Sequence, residues 1–372
     1  MYDIPLIRPV IDENVKQRVL DVLDSGHLTE GPVTRELEQR MADYTGAEHA
    51  LAVTSCTTGL ELALRALGVG PGHEVVVPAY TYPATAAAAR IVGARPVIVD
   101  IDPATLLLDM DELEAALTPK TRAVIPVSLF GNPVDHARLD ALRQQHGFAV
   151  VEDAACSLGA KYAGKRVGTQ AEITVFSLHP RKFITSGEGG IVTTQSGELA
   201  DAMHSYKHFG MHCENGVLDP MNFTGPGTNY KLSNVLAAIA LGQMDRVDAL
   251  LEERLALAAS YGELLAGTEN LRLPETTANG MHSCQTFCVL VPERDQILAR
   301  MRGQGVEVQI GSYDIAAQPA FRTADCTVRG ECPQAARIAS QALALPLFHG
   351  MTRAQQVRVA QELKAALSAV ES

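Results

Sequence analysis

The sequence predicts an α/β fold. Its large domain is a three-layer sandwich with a mostly parallel central sheet, and a smaller C-terminal α+β domain follows. From residue 12 to about 245, short β-branched runs alternate with helical segments. The strands are continuous apolar runs, typical of a sheet buried on both faces. A long helix from about Val247 to Leu265 then separates this region from the remainder. We therefore expect a large domain at residues 1–246 and a small C-terminal domain at residues 247–372.

The elements follow one another with clear boundaries. The first helix is predicted in "DENVKQRVLDVL", with Asp12 as its N-cap and Val15, Val19, Val22 and Leu23 on one face. The next segments alternate between strand and helix: "ALAVTS", "TGLELALRAL", "EVVVPAY", "PATAAAARIVG", "RPVIVDI" and "DELEAAL". The large domain is completed by the strands "RAVIPVSLF", "FAVVEDA", "ITVFSL" and "GGIVTT", with a helix at about Ala137 to Gln145 after the first of them.

The small domain is predicted from fewer signals. Strands are expected near "TFCVLV" and "VEVQI". Its last helix should start at Thr352, with Gln355 in position for a capping box. The buried stripe of that helix is predicted to be Val359, Leu363, Ala366 and Leu367.

Composition limits the possible function classes. The formal net charge of −12 disfavours a general nucleic-acid or anionic-membrane surface. The N-terminus lacks the pattern of a signal peptide, and no run approaches the roughly 18 apolar residues that span a bilayer. The seven cysteines are scattered, without a C-x-x-C pair, so we expect no disulfide framework, no metal site and a cytoplasmic location. An anionic small ligand is still compatible, because basic residues accompany the glycine-bearing segments: Arg181, Lys182, Lys207, His208, His212 and Lys231.

Two motifs follow predicted strands. In "TSCTTGL" a strand ends and small hydroxyl residues open a helix, whose free N–H groups suit an anion, with Thr57 and Thr58 as added donors. Simple N-capping without a ligand explains the same pattern. In "VVEDAACSLGA", Glu152 and Asp153 end an apolar strand, where ligands bind in open α/β sheets. Asp153 then either faces a protonated ring nitrogen or caps the next turn.

A third motif, "FSLHPRKFITSGEGG", places Lys182 between an apolar strand and a glycine-rich turn. An amine that reacts with a carbonyl group at neutral pH needs a lowered pKa, and Arg181 and His179 are predicted to supply the neighbouring positive charge. Ser177, five residues earlier, is able to donate to a phosphate. An ordinary surface lysine is the alternative interpretation.

Taken together and in order, these motifs resemble those of the pyridoxal-phosphate-dependent sugar aminotransferases of the DegT/StrS family. The resemblance runs from about residue 5 to 365 and includes "PAYTYPAT" and "GTNYKLSNVLAAIALGQM". It implies the fold-type-I architecture of pyridoxal 5'-phosphate (PLP) enzymes. It also implies a homodimer with shared active sites.

The resemblance assigns cofactor roles to individual residues. Lys182 sits at the position of the Schiff-base lysine, which later moves a proton as a base, and Asp153 at that of the aspartate that pairs with the pyridine nitrogen. Tyr82 matches the aromatic residue that stacks on the ring. The other cofactor-binding positions it implies are Thr57, Thr58 and Ser177 for the phosphate, Cys156 beside the ring, and Asn229, which reaches the phosphate of the other subunit.

The implied reaction is transfer of an amino group from L-glutamate to a nucleotide-linked keto-sugar, with a lean towards the 4-keto position. Glu188 belongs to the "GEGG" turn near the sugar, and by position His179, Arg181 and Tyr313 are further substrate-binding candidates. Three residues depart from the family pattern: Cys156 stands where a glutamine or histidine is frequent, Ser128 where a histidine is common, and Ser186 where a threonine is frequent. These departures bear on substrate preference.

The alternative functions are an aminocyclitol transaminase or a dehydratase of the same fold, and a PLP-binding regulator without turnover. The dehydratase branch carries histidine in place of Lys182.

Overall fold

The computed structural model describes residues 2–370. The predicted N-cap is confirmed, since the Asp12 carboxylate accepts a hydrogen bond from the Val15 amide at 3.0 Å. Leu23 was expected on the buried face but is 50% exposed, because only Val15 and Val22 of this helix turn fully inward. The α-helices of residues 2–370 are α1 Glu13–Ser25, α2 Pro32–Thr45, α3 Cys56–Ala66, α4 Ala84–Ile91, α5 Met110–Ala116, α6 His136–His146, α7 Gly197–Lys207, α8 Asn234–Met244, α9 Val247–Leu265, α10 Arg294–Gly303, α11 Pro333–Gln341 and α12 Arg353–Val370.

The strands are shorter and more numerous than the sequence pattern predicts. The first nine are β1 His49–Val53, β2 Glu74–Pro78, β3 Tyr80–Thr81, β4 Arg95–Val99, β5 Thr121–Val124, β6 Ala149–Asp153, β7 Lys161–Tyr162, β8 Lys165–Arg166 and β9 Ile173–Ser177. The rest are β10 Gly190–Thr194, β11 Met211–Glu214, β12 Val217–Phe223, β13 Gly280–Met281, β14 Phe287–Leu290, β15 Gln309–Ile310, β16 Tyr313–Asp314, β17 Thr327–Val328 and β18 Ala342–Leu345.

The central sheet has eight strands in the order β1-β10-β9-β6-β5-β2-β4-β17. Seven run in the same direction, and β10 alone is antiparallel to both of its neighbours. The mostly parallel sheet of the prediction is therefore confirmed. Because β6 and β9 are parallel neighbours, their carboxyl ends, Asp153 and Ser177, lie at the same edge.

Helices cover both faces of this sheet. Alternate residues of β2 enter different cores, since Val75 and Val77 pack with α3 and α4 while Val76 packs with α5 and α6. Further along the sheet, α2 and α8 cover β9 and β10 through Leu37, Met41 and Leu241. The result is the helix–sheet–helix sandwich expected from continuous apolar strands.

The C-terminal part builds a core of its own around the sheet β14-β18-β15, which α9, α10 and α12 cover. The capping box of α12 is present, since Thr352 and Gln355 exchange hydrogen bonds between side chain and backbone, and Val359, Leu363, Ala366 and Leu367 are buried. One strand from this region, β17, joins the large sheet beside β4. The division at residues 246 and 247 stays a prediction.

Candidate functional site

A cavity of about 680 Å³ opens at the carboxyl ends of β6 and β9. The first turn of α3, the loop between β9 and β10, and the segments near residues 309–313 and 344–347 complete its wall. Ten of the predicted site residues line it: Thr57, Tyr82, Asp153, Cys156, Ser177, His179, Arg181, Lys182, Glu188 and Tyr313. The structure thus brings residues more than 250 positions apart in the chain to one site.

Lys182 lies on the loop between β9 and β10, and its Nζ is 3.0 Å from the Cys156 sulfur. Burial lowers the pKa of Lys182, but Cys156, Cys56 and Asp153 raise it, and the net pKa lies above the usual value. The expectation of a lowered pKa was therefore wrong. Sequence proximity suggested Arg181 and His179 as the dominant neighbours, whereas the fold surrounds the amine with thiols and a carboxylate.

Asp153 ends β6 and is 5% exposed. Its carboxylate accepts hydrogen bonds from the Thr85 hydroxyl at 2.8 Å and from the Ala155 amide at 3.2 Å. Burial raises the pKa of Asp153, against the lowering effect of these two hydrogen bonds and of Lys182. The residue therefore caps the turn and also faces the cavity, so the two interpretations of its motif are compatible.

Glu152, one residue earlier, does not share this site. Its carboxylate is fully buried and accepts a hydrogen bond from Ser128 at 2.5 Å, and His136 Nε2 lies 3.2 Å away. Burial lowers the pKa of His136, but the Glu152 charge more than offsets it, so the net pKa is raised. Ser128, one of the three departures from the family pattern, serves this buried pair and does not line the cavity.

The first turn of α3 forms the anion-facing corner. Ser55 and Thr58 form a reciprocal capping box, in which the Ser55 hydroxyl accepts from the Thr58 amide and the Thr58 hydroxyl accepts from the Ser55 amide. Thr57 lines the cavity. The first amides of a helix have no hydrogen-bond partner within the helix, which suits them to bind an anion. The Thr58 side chain is thus used in the cap and does not line the cavity, so its predicted hydroxyl donation is not supported.

Aromatic and polar side chains stand at the cavity mouth. The Tyr82 and Tyr313 rings meet edge to face at 5.9 Å and are 63% and 41% exposed. Arg181 donates to the Gln309 side chain at 3.0 Å. Burial lowers the pKa of His179, with help from Lys182 and Arg181 and opposition from Glu188.

Asn229 lies outside this cavity in the single chain. It is exposed, and its side-chain oxygen accepts a hydrogen bond from Lys231 at 2.6 Å. Its backbone pairs with His208, next to the hairpin formed by β11 and β12.

Most of the basic residues expected near an anionic ligand lie elsewhere. Lys207 is fully buried, and its ammonium group lies 3.0 Å from Glu30 and 3.2 Å from Glu38. His208 and His204 bring their ring nitrogens close to the same Glu30 carboxylate. The Lys207 charge is thus paired within the protein, and Arg181 and Lys182 are the lysine and arginine side chains of the cavity wall.

Sequence reasoning missed three side chains that the structure places at the candidate site. Thr85 bonds Asp153, Cys56 lies with its sulfur 4.0 Å from the same carboxylate, and Gln285 lines the cavity from the C-terminal part. Thr85 lies within "PAYTYPAT" and Cys56 within "TSCTTGL", so their positions beside predicted site residues could have indicated them. Gln285 lies more than 100 residues from Lys182 in the sequence, and nothing in its local pattern marks it.

Comparison with known proteins gives one family. Residues 9–364 match the sequence model of the DegT/DnrJ/EryC1/StrS aminotransferase family. Among solved structures, the putative sugar aminotransferase Spr1654 from Streptococcus pneumoniae in its PMP form is 28% identical with a TM-score of 0.93, covering 99% of this chain and 100% of that one. The same protein in its PLP form matches at 29% identity and a TM-score of 0.93, with the same coverage.

Two further structures are similar over most of the chain. DesV from S. venezuelae, solved with a ketimine intermediate, is 33% identical with a TM-score of 0.88, covering 94% of this chain and 93% of that one. A 3-amino-5-hydroxybenzoic acid synthase is 27% identical with a TM-score of 0.91, covering 99% of both chains.

Within residues 2–370, the helices are too short or too polar to cross a bilayer.

Proposed function

The chain belongs to the DegT/DnrJ/EryC1/StrS aminotransferase family, and from this premise we propose that it transfers an amino group from L-glutamate to a nucleotide-linked keto-sugar. The protein is a PLP-dependent aminotransferase with the fold-type-I architecture. The observation that carries the proposal is one cavity that holds a lysine amine, a buried carboxylate and the first turn of a helix.

The donor set fits PLP. Lys182 supplies the amine for covalent attachment, and Asp153 supplies a carboxylate for a protonated ring nitrogen. Thr57 and Ser177 line the cavity, and the first turn of α3, whose leading amides lack partners within the helix, suits a phosphate. Tyr82 provides an aromatic face at the mouth.

Bound PLP supplies the electron sink that makes transamination possible. Asp153 would hold the ring nitrogen in its protonated form, and the burial of this carboxylate would strengthen the interaction. Lys182 would hold the cofactor through its amine and would serve as the base that moves a proton during transamination. The raised pKa of Lys182 means that its amine must give up a proton before it attacks a carbonyl group.

The sugar-nucleotide substrate is supported by the size and lining of the cavity. A volume of about 680 Å³ falls within the range of ligand pockets. Arg181 offers a guanidinium for a phosphate group, and Tyr313 offers an aromatic edge. We also propose that the amino group is transferred to C4 of the sugar.

A homodimer with shared sites completes the proposal. Asn229 is exposed beside a hairpin whose outer side chains include Val217, Met221 and Phe223, which are 71%, 89% and 58% exposed. Exposed apolar side chains of this size are typical of a protein–protein interface. A second copy of the chain is the partner that would place Asn229 near a cofactor phosphate.

The test is covalent trapping followed by a substrate screen. Purified protein incubated with PLP should show a visible absorption band, and borohydride reduction should attach the cofactor mass to the peptide that contains Lys182. Lys182→Ala should give neither the mass nor turnover. A fully active Lys182→Ala variant contradicts the proposal.

The screen runs the reaction backwards, with amino-sugar nucleotides tested for their ability to convert bound PLP to its amine form. Aminocyclitols and 3-amino-5-hydroxybenzoic acid, the latter from the similarity to its synthase, belong in the same panel. Conversion by an aminocyclitol and not by a sugar nucleotide favours the transaminase alternative. Specific DNA binding without any conversion favours a regulator.

A further inference from the structure

The loop that carries Lys182 is held by one side chain from the distant C-terminal part. Gln285 donates through its amide nitrogen to the Arg181 carbonyl at 2.7 Å and accepts at its amide oxygen from the Phe183 N–H at 3.0 Å. The two bonds fix the backbone on either side of Lys182. We propose that Gln285 is the positioning residue for the lysine, an inference that rests on the proposed function.

Gln285 is itself held rigidly. The Arg254 guanidinium donates to the carbonyl oxygens of Cys284 and Gln285 at 3.1 and 3.0 Å. Arg254 is 5% exposed, and burial lowers its pKa to about 10. These carbonyl oxygens, together with the Phe183 ring 5.6 Å away, therefore stabilise a buried cation.

The backbone before Gln285 is also constrained. Cys284 adopts a left-handed conformation with φ of 52°, which is unfavourable for a residue with a Cβ. The neighbouring amides of Ser283 and Thr286 donate to the carbonyls of Gly131 and Phe130, at the wall of the cavity. Backbone strain of this kind persists where surrounding contacts over-determine it, and here it directs the Gln285 amide at the lysine loop.

These contacts hold in place the backbone from which the Lys182 side chain extends. With the flanking backbone held, only the side-chain torsions of Lys182 remain to be ordered when the amine meets a carbonyl group. A displacement of about 1 Å at a reacting atom costs up to about 100-fold in rate. Gln285 touches no reacting atom, so its effect should act through the lysine.

The test measures how fast PLP-free protein attaches added PLP at Lys182, by absorbance and by borohydride trapping. Gln285→Met keeps the length of the side chain and removes both hydrogen bonds. We expect it to slow attachment at least about 10-fold relative to the unmodified chain. Hydrogen exchange of the peptide covering residues 178–189 should become faster in the same variant.

A second variant makes the effect switchable. The carboxyl group introduced by Gln285→Glu reproduces both hydrogen bonds when protonated, and sets a carboxylate against the Arg181 carbonyl when ionised. The attachment rate of Gln285→Glu, divided by that of the unmodified chain at each pH, should therefore rise as the pH falls from 8 to 5. A merely structural role for Gln285 predicts a constant ratio.

Gln356→Met is the matched control. Gln356 is also a buried glutamine, 1% exposed, and it bridges α9 and α12 through Ser260 and Leu257. Its substitution should leave the attachment rate within about twofold, because its side-chain hydrogen bonds go to α9 and not to the lysine loop. Unchanged rates and a flat pH ratio in both Gln285 variants, with Lys182→Ala unable to attach PLP, overturn the inference alone. Attachment that survives Lys182→Ala overturns the proposed function instead.

Discussion

Two adjacent carboxylates at the end of β6 have opposite roles because strand side chains alternate between the two faces of a sheet. Asp153 turns towards the cavity, and Glu152 turns towards His136 and Ser128. The sequence shows both acids but not their partners, since Ser128 and His136 come from other segments. A single residue of register therefore decides which acid belongs to the chemistry.

This division gives the first prediction. Asp153→Asn should lower kcat at least about 100-fold, or roughly 2.7 kcal/mol of transition-state stabilisation, because an amide does not hold a protonated ring nitrogen. Glu152→Gln should leave kcat within a few-fold and instead lower the free energy of unfolding by about 1–3 kcal/mol. Steady-state kinetics and urea unfolding of both variants check this. Equal kinetic losses in the two variants would contradict the assignment.

The candidate site could be predicted from sequence wherever one local motif carried the residue. Lys182, Asp153 and Ser177 each follow an apolar strand, and parallel strands bring their ends together, so a common cavity was expected. The role of Thr58 as a phosphate donor stays a prediction; its side chain forms the N-terminal cap of α3, and capping and ligand binding use the same residue types. Gln285 could not be found, since its role depends on tertiary contacts with no local pattern.

At the level of elements, the apolar runs were sufficient to locate the main strands and their order along the chain. The direction of β10 was not predictable from them, because an apolar run carries no information on strand polarity. Nor was β17, a pair of residues in the C-terminal part that joins the central sheet. Both depend on how distant segments meet.

A close approach between β10 and α3 gives a prediction at this level. A Cβ at Gly190 would lie 2.7–2.8 Å from backbone atoms of Ser55 and Cys56, at the corner proposed for the phosphate. Gly190→Ala should therefore destabilise the fold by about 1–3 kcal/mol and weaken PLP binding. Urea unfolding and PLP titration measure the two effects.

The control for this substitution is a glycine with open space around it. Gly262 lies within α9, and no atom stands within 4 Å of the position of its Cβ. Gly262→Ala should stabilise the protein by about 0.5–1 kcal/mol through helix propensity, with PLP binding unchanged. A loss of PLP binding in this variant, or none in Gly190→Ala, would show that the β10–α3 contact does not shape the site.

For the whole molecule, the net charge of −12 is compatible with a cavity that suits an anion, because Arg181 and Lys182 lie at its wall. Charge over the whole chain thus sets its general partners, and the pocket is set by individual groups. The proposed contact between Asn229 and the cofactor phosphate requires a second chain, because Asn229 lies outside the cavity of its own chain.

Mixing two inactive variants tests whether Asn229 acts across a dimer. Lys182→Ala lacks the amine and Asn229→Ala lacks the proposed phosphate contact, so each homodimer should be impaired. In a mixed dimer, one site combines an intact Lys182 from one chain with an intact Asn229 from the other. Random mixing in equal amounts should therefore restore about a quarter of full activity, because half of the dimers are mixed and each has one complete site.

The result depends on exchange of subunits, so the two variants are best unfolded and refolded together, and mass measurement of differently tagged chains should confirm mixed dimers. The matched control combines Lys182→Ala with Asp153→Asn, two residues that line the same cavity of one chain. That mixture should stay inactive, because a mixed dimer then lacks a complete site. Mixed Lys182 and Asn229 dimers without regained activity would place Asn229 in its own chain's site or outside catalysis, and would remove the main reason for a shared active site.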